Sequence, residues 1–203
     1  MPRRRIRTGI TVSATLMSLA LAACSTDAGS TSAPSADTTT STIPAHNDAD
    51  TDFAQMMIVH HEGAIEMAQV VVETSESAQI VELGERILAA QQPEITTMER
   101  WLAQWDEDNP TEADHSMMDH GGMTMDGMDQ ASAMASLEDV PADEFDARFL
   151  DLMIAHHEGA IEMAESELEN GENPEARALA TAIIDAQQEE IAEMKALAAD
   201  SAL

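Results

Sequence analysis

Two His-His dipeptides, His60-His61 and His156-His157, hold the side chains best suited to chemistry in this chain. Each lies in nearly the same local sequence, FAQMMIVHHEGAIEMA over 53–68 and FLDLMIAHHEGAIEMA over 149–164. Twelve of the 16 positions are identical at a fixed offset of 96. Steps of about 100° per residue put Phe53, Met57, His60, His61, Ala64, Met67 and Ala68 on one helix face, with Glu62 and Glu66 opposite. Four imidazoles aimed into one core need partners, because an unsatisfied buried polar group is costly. Met57 and Met67 share the face of the first pair, and Met153 and Met163 share that of the second. Gln91, Glu94, Gln187 and Glu190 obey the same offset and fall on the inner faces of the helices that follow. There they can hold the remaining N–H of each ring, as the groups behind metal-binding histidines do. Imidazole with thioether is the soft donor set that suits Cu(I). The competing reading is a structural or interaction module whose His/Gln/Glu network fixes helix register and binds no metal.

A second concentration of donors lies between the copies, in HSMMDHGGMTMDGMD at 115–129. His115, Met117, Met118, His120, Met123, Met125 and Met128 are separated by Gly and Asp, with neither helical nor strand period. Methionines on a flexible polar loop have nothing to bury against, so metal capture explains them better than packing. An oxidation-scavenging linker is the alternative.

Two enzyme patterns fail on spacing. His61-Glu62 begins like the zinc-protease H-E-x-x-H, but Ile65 and Ile161 stand where the second His belongs. A di-iron bundle needs inward Glu-x-x-His, whereas Met57 and Met153 stand three residues before His60 and His156. No Ser/His/Asp or Cys/His arrangement is available. An oxidoreductase acting on copper ranks third, because nothing supplies a dedicated electron or substrate path. The expectation is a binding protein without catalysis.

Composition agrees. The 203 residues carry 9 Lys+Arg against 39 Asp+Glu, a formal charge of −30, with 15 Met, 7 His, one Cys and no Tyr. Nine cations cannot build a phosphate-neutralising face, which excludes nucleic-acid partners. One Cys excludes an internal disulfide framework. Arg3, Arg4, Arg5 and Arg7, then an apolar run from Gly9 to Ala23, read as a signal peptide over 1–23. The junction Leu21-Ala22-Ala23-Cys24 resembles a bacterial lipobox, so Cys24 is expected to be lipidated and to anchor the chain on the extracytoplasmic face of a membrane in the cell envelope. Cleavage leaves 5 basic against 39 acidic residues, a formal −34. A metal-handling partner protein would complete such a role.

These features require helices. Residues 24–50 hold the lipidated Cys and a disordered Ser/Thr/Ala/Pro tether, with His46 solvated near its end. The first αα-hairpin covers 51–105, with helices from about Asp52 (capped by Asp50 or Thr51) to Thr74 and from about Ser77 to Trp105. Pro93 inside the second should kink it. A Met/His-rich loop spans 106–140, and the second hairpin spans 141–203, with helices over Pro141–Asn170 and Pro174–Ala199. Gly171 and Asn173-Pro174 mark the stop and restart. Two hairpins with one apolar face each bury those faces as an all-α four-helix bundle, one domain over 51–203 with an approximate two-fold.

The motif Met57-Ile58-Val59-His60-His61-Glu62-Gly63-Ala64-Ile65-Glu66-Met67-Ala68, its copy at Met153–Ala164, and the stretches Ala90–Met98 and Ala186–Met194 resemble the domain of unknown function 305 family over about residues 50–200. The resemblance implies a ferritin-like bundle and an extracytoplasmic protein linked to copper binding and resistance, with His and Met as ligands. Pro93 and the 115–129 loop lie outside the family core.

Overall fold

A computed structural model describes residues 45–110 and 129–201. Its elements are α1 (Asp48–Thr74), α2 (Ala78–Trp105), α3 (Gln130–Glu138), α4 (Phe145–Asn170) and α5 (Pro174–Ser201). No strand occurs among the described residues, as the helical period required. The leader, Cys24, most of the tether and the donors at 115–128 lie outside the described residues.

The helix ends follow local hydrogen-bonding chemistry. α1 starts four residues before the expected Asp52, because Asn47 rather than Asp50 or Thr51 is its cap. Asn47 Oδ1 accepts from the amides of Ala49 and Asp50 at 3.0 and 3.1 Å, and Asp50 Oδ2 accepts from the Asn47 amide at 2.7 Å. This reciprocal box satisfies donors that the first turn otherwise leaves unpaired. It also draws residues 45–50 out of the tether and onto the bundle. α5 starts as expected, with Asn173 Oδ1 accepting from the Glu175 and Ala176 amides and Pro174 in the first turn. α4 starts at Phe145, later than the expected Pro141, because 141–144 close as a turn in which the Glu144 amide donates to the Pro141 carbonyl. α2 runs continuously through Pro93, with the hydroxyls of Thr96 and Thr97 donating to the Gln92 and Pro93 carbonyls.

α3 is a second departure, since 106–140 was expected to be loop throughout. Asp129 caps it by accepting from the Ser132 amide, and Ala133 and Leu137 are fully buried in the core. Two apolar side chains four residues apart suffice to hold so short a helix by packing, which its own length could not do.

The core forms two clusters. One joins the C-terminal half of α1 (Ala64, Met67, Val71) to the start of α2 (Ile80, Leu83), the start of α4 (Phe149, Met153) and the end of α5 (Met194). The other joins the start of α1 (Phe53, Met57) to the end of α2 (Met98, Leu102), the end of α4 (Met163, Ala164) and the start of α5 (Ala180, Ile183). α1 and α4 are therefore antiparallel. The offset of 96 carries Phe53, Met57 and Met98 of one cluster onto Phe149, Met153 and Met194 of the other, which is the approximate two-fold. His60, His61, His156 and His157 occupy the turns between the clusters.

Candidate metal centre

The helical period that makes each Met and Ala face inward also turns two successive histidines inward. His60 and His156 are 4% and 3% exposed, and His61 and His157 are fully buried. The rings of His60 and His156 meet with centroids 3.6 Å apart, tilted by 44°, so the approximate two-fold passes between them. His61 and His157 point outward from that pair. His61 Nε2 lies 2.6 Å from Glu94 Oε2, and His157 Nε2 lies 2.7 Å from Glu190 Oε2, each across 33 residues of sequence. Glu94 and Glu190 are thus where the repeat spacing placed them, behind the rings and partly open to water.

An ionised carboxylate only accepts, so a neutral ring in this position would carry its proton on Nε2 and present a lone pair at Nδ1. Nδ1 of His61, His156 and His157 is buried with no hydrogen-bond partner, and so is Oε1 of Gln91 and of Gln187. Gln91 and Gln187, expected to hold the rings, are buried in the same layer but leave those oxygens unpaired. A buried acceptor without a partner costs about 1–3 kcal/mol. A ligand that supplies positive charge could satisfy several such atoms in one layer at once. Burial, then the rings of His60, His157 and His61, hold the His156 imidazole well below the usual histidine range, so it stays neutral. Neutral imidazole is the metal-binding form.

The thioethers flank this layer. Met57 and Met163 stand in the cluster on one side, and Met67 and Met153 in the cluster on the other; the first, third and fourth of these in chain order are fully buried or nearly so, as is Met67. Among the described residues no three His, Cys, Asp or Glu side chains converge on one point at metal-binding distance.

Sequence reasoning missed three features. Gln130 of α3 lies over Gly63, two residues after His61, and donates from Nε2 to the Gly63 carbonyl at 3.1 Å and to Glu66 at 3.2 Å. A Cβ on Gly63 would meet Gln130 Oε1 at 2.7 Å, so the glycine makes room for the clamp. The signal was Asp129, a good cap before an Ala-rich run. His46, expected to be solvated, stacks on Trp105 at 4.5 Å and 7° and lies 3.6 Å from Glu107. The third is a buried carboxyl pair. Asp50 accepts from the amides of Asn47, Glu172 and Asn173. Burial raises its affinity for protons, but those bonds and one from the Glu167 carboxyl outweigh burial and hold it below the usual range. Burial, with Asp50 adjacent, pushes Glu167 up to about 8, so its carboxyl is protonated at neutral pH.

The model of the family described as domain of unknown function 305 matches residues 50–198. The chain is a DUF305 protein. Among solved structures, CopM in its Cu(I)-bound form is 30% identical, with a TM-score of 0.61, covering 74% of this chain and 96% of that one. CopM in its Cu(II)-bound form is 33% identical, with a TM-score of 0.63 and the same coverage. A DUF305 fragment from Deinococcus radiodurans is 29% identical, with a TM-score of 0.65, covering 77% of this chain and 99% of that one. Comparison with curated proteins gives no match.

Proposed function

We propose that this DUF305 protein binds copper, as Cu(I), in the buried histidine layer and so buffers or sequesters it outside the cytoplasm. The observation that carries the reading is the set of buried Nδ1 lone pairs on rings fixed from behind by Glu94 and Glu190. His60, His61, His156 and His157 supply nitrogen, and Met57, Met67, Met153 and Met163 are the sulfur donors within reach along the same helices. Glu94 and Glu190 orient the rings rather than bind the ion, since carboxylates are hard ligands. CopM, solved with Cu(I), Cu(II) and silver, supports the cargo. Methionine keeps its affinity without losing a proton and suits a compartment where thiolates oxidise.

The finer parts rest on sequence. The leader and Cys24 support a lipid anchor on the extracytoplasmic face of a membrane, and a similar solved structure from Streptomyces coelicolor is described as a secreted DUF305 protein. His115, Met117, Met118, His120, Met123, Met125 and Met128 form a capture segment that passes the ion to the bundle or to a metal-handling partner. The protein holds its cargo and turns nothing over.

A Cu(I) competition titration tests this. The double variant His61→Ala/His157→Ala should lower Cu(I) affinity by at least about tenfold while circular dichroism retains its helical signal. Unchanged affinity and stoichiometry in that variant and in a chain lacking residues 115–128 would sink the copper reading. The structural-network reading has one observation in its favour, the lack of three converging His, Cys, Asp or Glu side chains among the described residues. It requires that copper-free and copper-treated chains melt at the same temperature.

A further inference from the structure

The two-fold that relates the hairpins fails at one end of the bundle. Where α1 begins, the chain seals the seam between hairpins. Asn47 Nδ2 donates to the Asn170 carbonyl at 2.9 Å, Asn173 Nδ2 donates to the Ala45 carbonyl at 3.0 Å, and Asp50 takes the Glu172 and Asn173 amides at 3.2 and 2.8 Å. The offset of 96 carries this seam onto Thr74 and Glu76 on one side and Asp143 and Asp146 on the other. There the turn at 141–144 leads the chain away, and a cleft of about 820 Å³ stands open instead. Val70, Leu137, Val140 and Phe145 form its apolar floor. Glu76, Glu138, Asp143 and Asp146 form its rim, and no Lys, Arg or His lines it. α1 ends at Thr74 on the same wall, adding the partial negative charge of a helix C-terminus.

We propose that this cleft docks a basic amphipathic segment of a partner protein, with apolar side chains on the floor and Lys or Arg against the rim. Charge selects the occupant. A second copy of this chain brings a formal −30, and residues 24–44 bring Asp27 and Asp37 with no cation. An anionic lipid surface would be repelled in the same way. The volume falls in the range of ordinary ligand pockets, enough for a few side chains rather than a whole helix. The proposal is independent of copper and goes beyond the metal site.

The probe is a fluorescently labelled Leu/Lys peptide of helical amphipathic period, titrated by anisotropy against the full chain at physiological ionic strength. It should bind, and Glu138→Lys with Asp143→Lys, both exposed, should weaken it by at least about tenfold. Glu99→Lys with Glu189→Lys, equally exposed and remote, should leave binding within about twofold, as screened distant charges do. A scrambled peptide of the same composition should bind at least about tenfold more weakly, because it cannot place its apolar side chains together. Equal loss in both charge-reversed chains, equal binding of the scrambled peptide, or no binding at all would each overturn the proposal.

Discussion

At His156, burial and the neighbouring rings keep the imidazole neutral through the range where a free histidine takes a proton. The unfolded chain gains that proton as pH falls below about 6.5 and the folded chain does not, so the copper-free protein should lose stability from pH 7 to pH 5. Urea midpoints check this, and a His156→Gln variant should flatten the fall. Glu167 acts with the opposite sign. Its folded pKa of about 8 lies above the ordinary 4.5, so its contribution is fully present below about 4.5 and is lost as pH rises through 8. Glu167→Gln should therefore show a smaller drop in urea midpoint between pH 6 and pH 8 than the parent chain. An identical drop would contradict a protonated Glu167 in the folded chain. Glu94→Gln with Glu190→Gln should lower Cu(I) affinity by about 10–100-fold, the usual effect of losing the group behind a metal-binding histidine. The sequence offered these carboxylates openly, because both hairpins repeat His and Glu 33 residues apart. It could not offer the Asp50–Glu167 pair, whose partners are far apart in sequence and whose counterparts at the other end are Asp146 and Val71.

At the scale of elements, glycines mark where helices approach too closely for a side chain. A Cβ on Gly84 would meet Val71 Cγ1 at 2.6 Å and the Ala68 carbonyl at 3.3 Å, so α2 crosses α1 there at close range. Ala usually stabilises an exposed helix relative to Gly by about 0.5–1 kcal/mol. Gly84→Ala should instead destabilise by about 1–3 kcal/mol, measured by thermal unfolding, because the added methyl overlaps the fully buried Val71 side chain. The equivalent residue in the second hairpin is already Ala180, fully buried, so the repeat itself supplies the control. Gly171 ends α4 with φ −72°, which any residue adopts. Its reason is space, since a Cβ there would collide with the Glu167 carboxylate. The four long helices were legible because inward Met, Ala, Ile and Leu recur at helical spacing over more than 20 residues each. Their starts were less so. Asn47 is a better cap than the residues expected in its place only because Asp50 answers it, and α3 depends on packing of Ala133 and Leu137 that no local pattern announces.

At the scale of the molecule, duplication explains both the fold and the site. One hairpin has an apolar face it cannot bury alone, and two related by a two-fold bury both faces. The same operation brings His60 against His156 and sets His61 and His157 on either side, so a dipeptide repeated once becomes a four-imidazole layer. The sequence showed the repeat and the inward His pairs; the direct contact of the His60 and His156 rings needed the crossing of α1 and α4. The acidic surface concentrates cations without choosing among them, and selection falls to the soft donors inside. X-ray absorption at the copper edge of the Cu(I)-loaded chain is the most direct test. The account predicts mixed nitrogen and sulfur neighbours, with the nitrogen contribution lost in His61→Ala/His157→Ala. A spectrum of oxygen neighbours alone, or one that those substitutions leave unchanged, would contradict it.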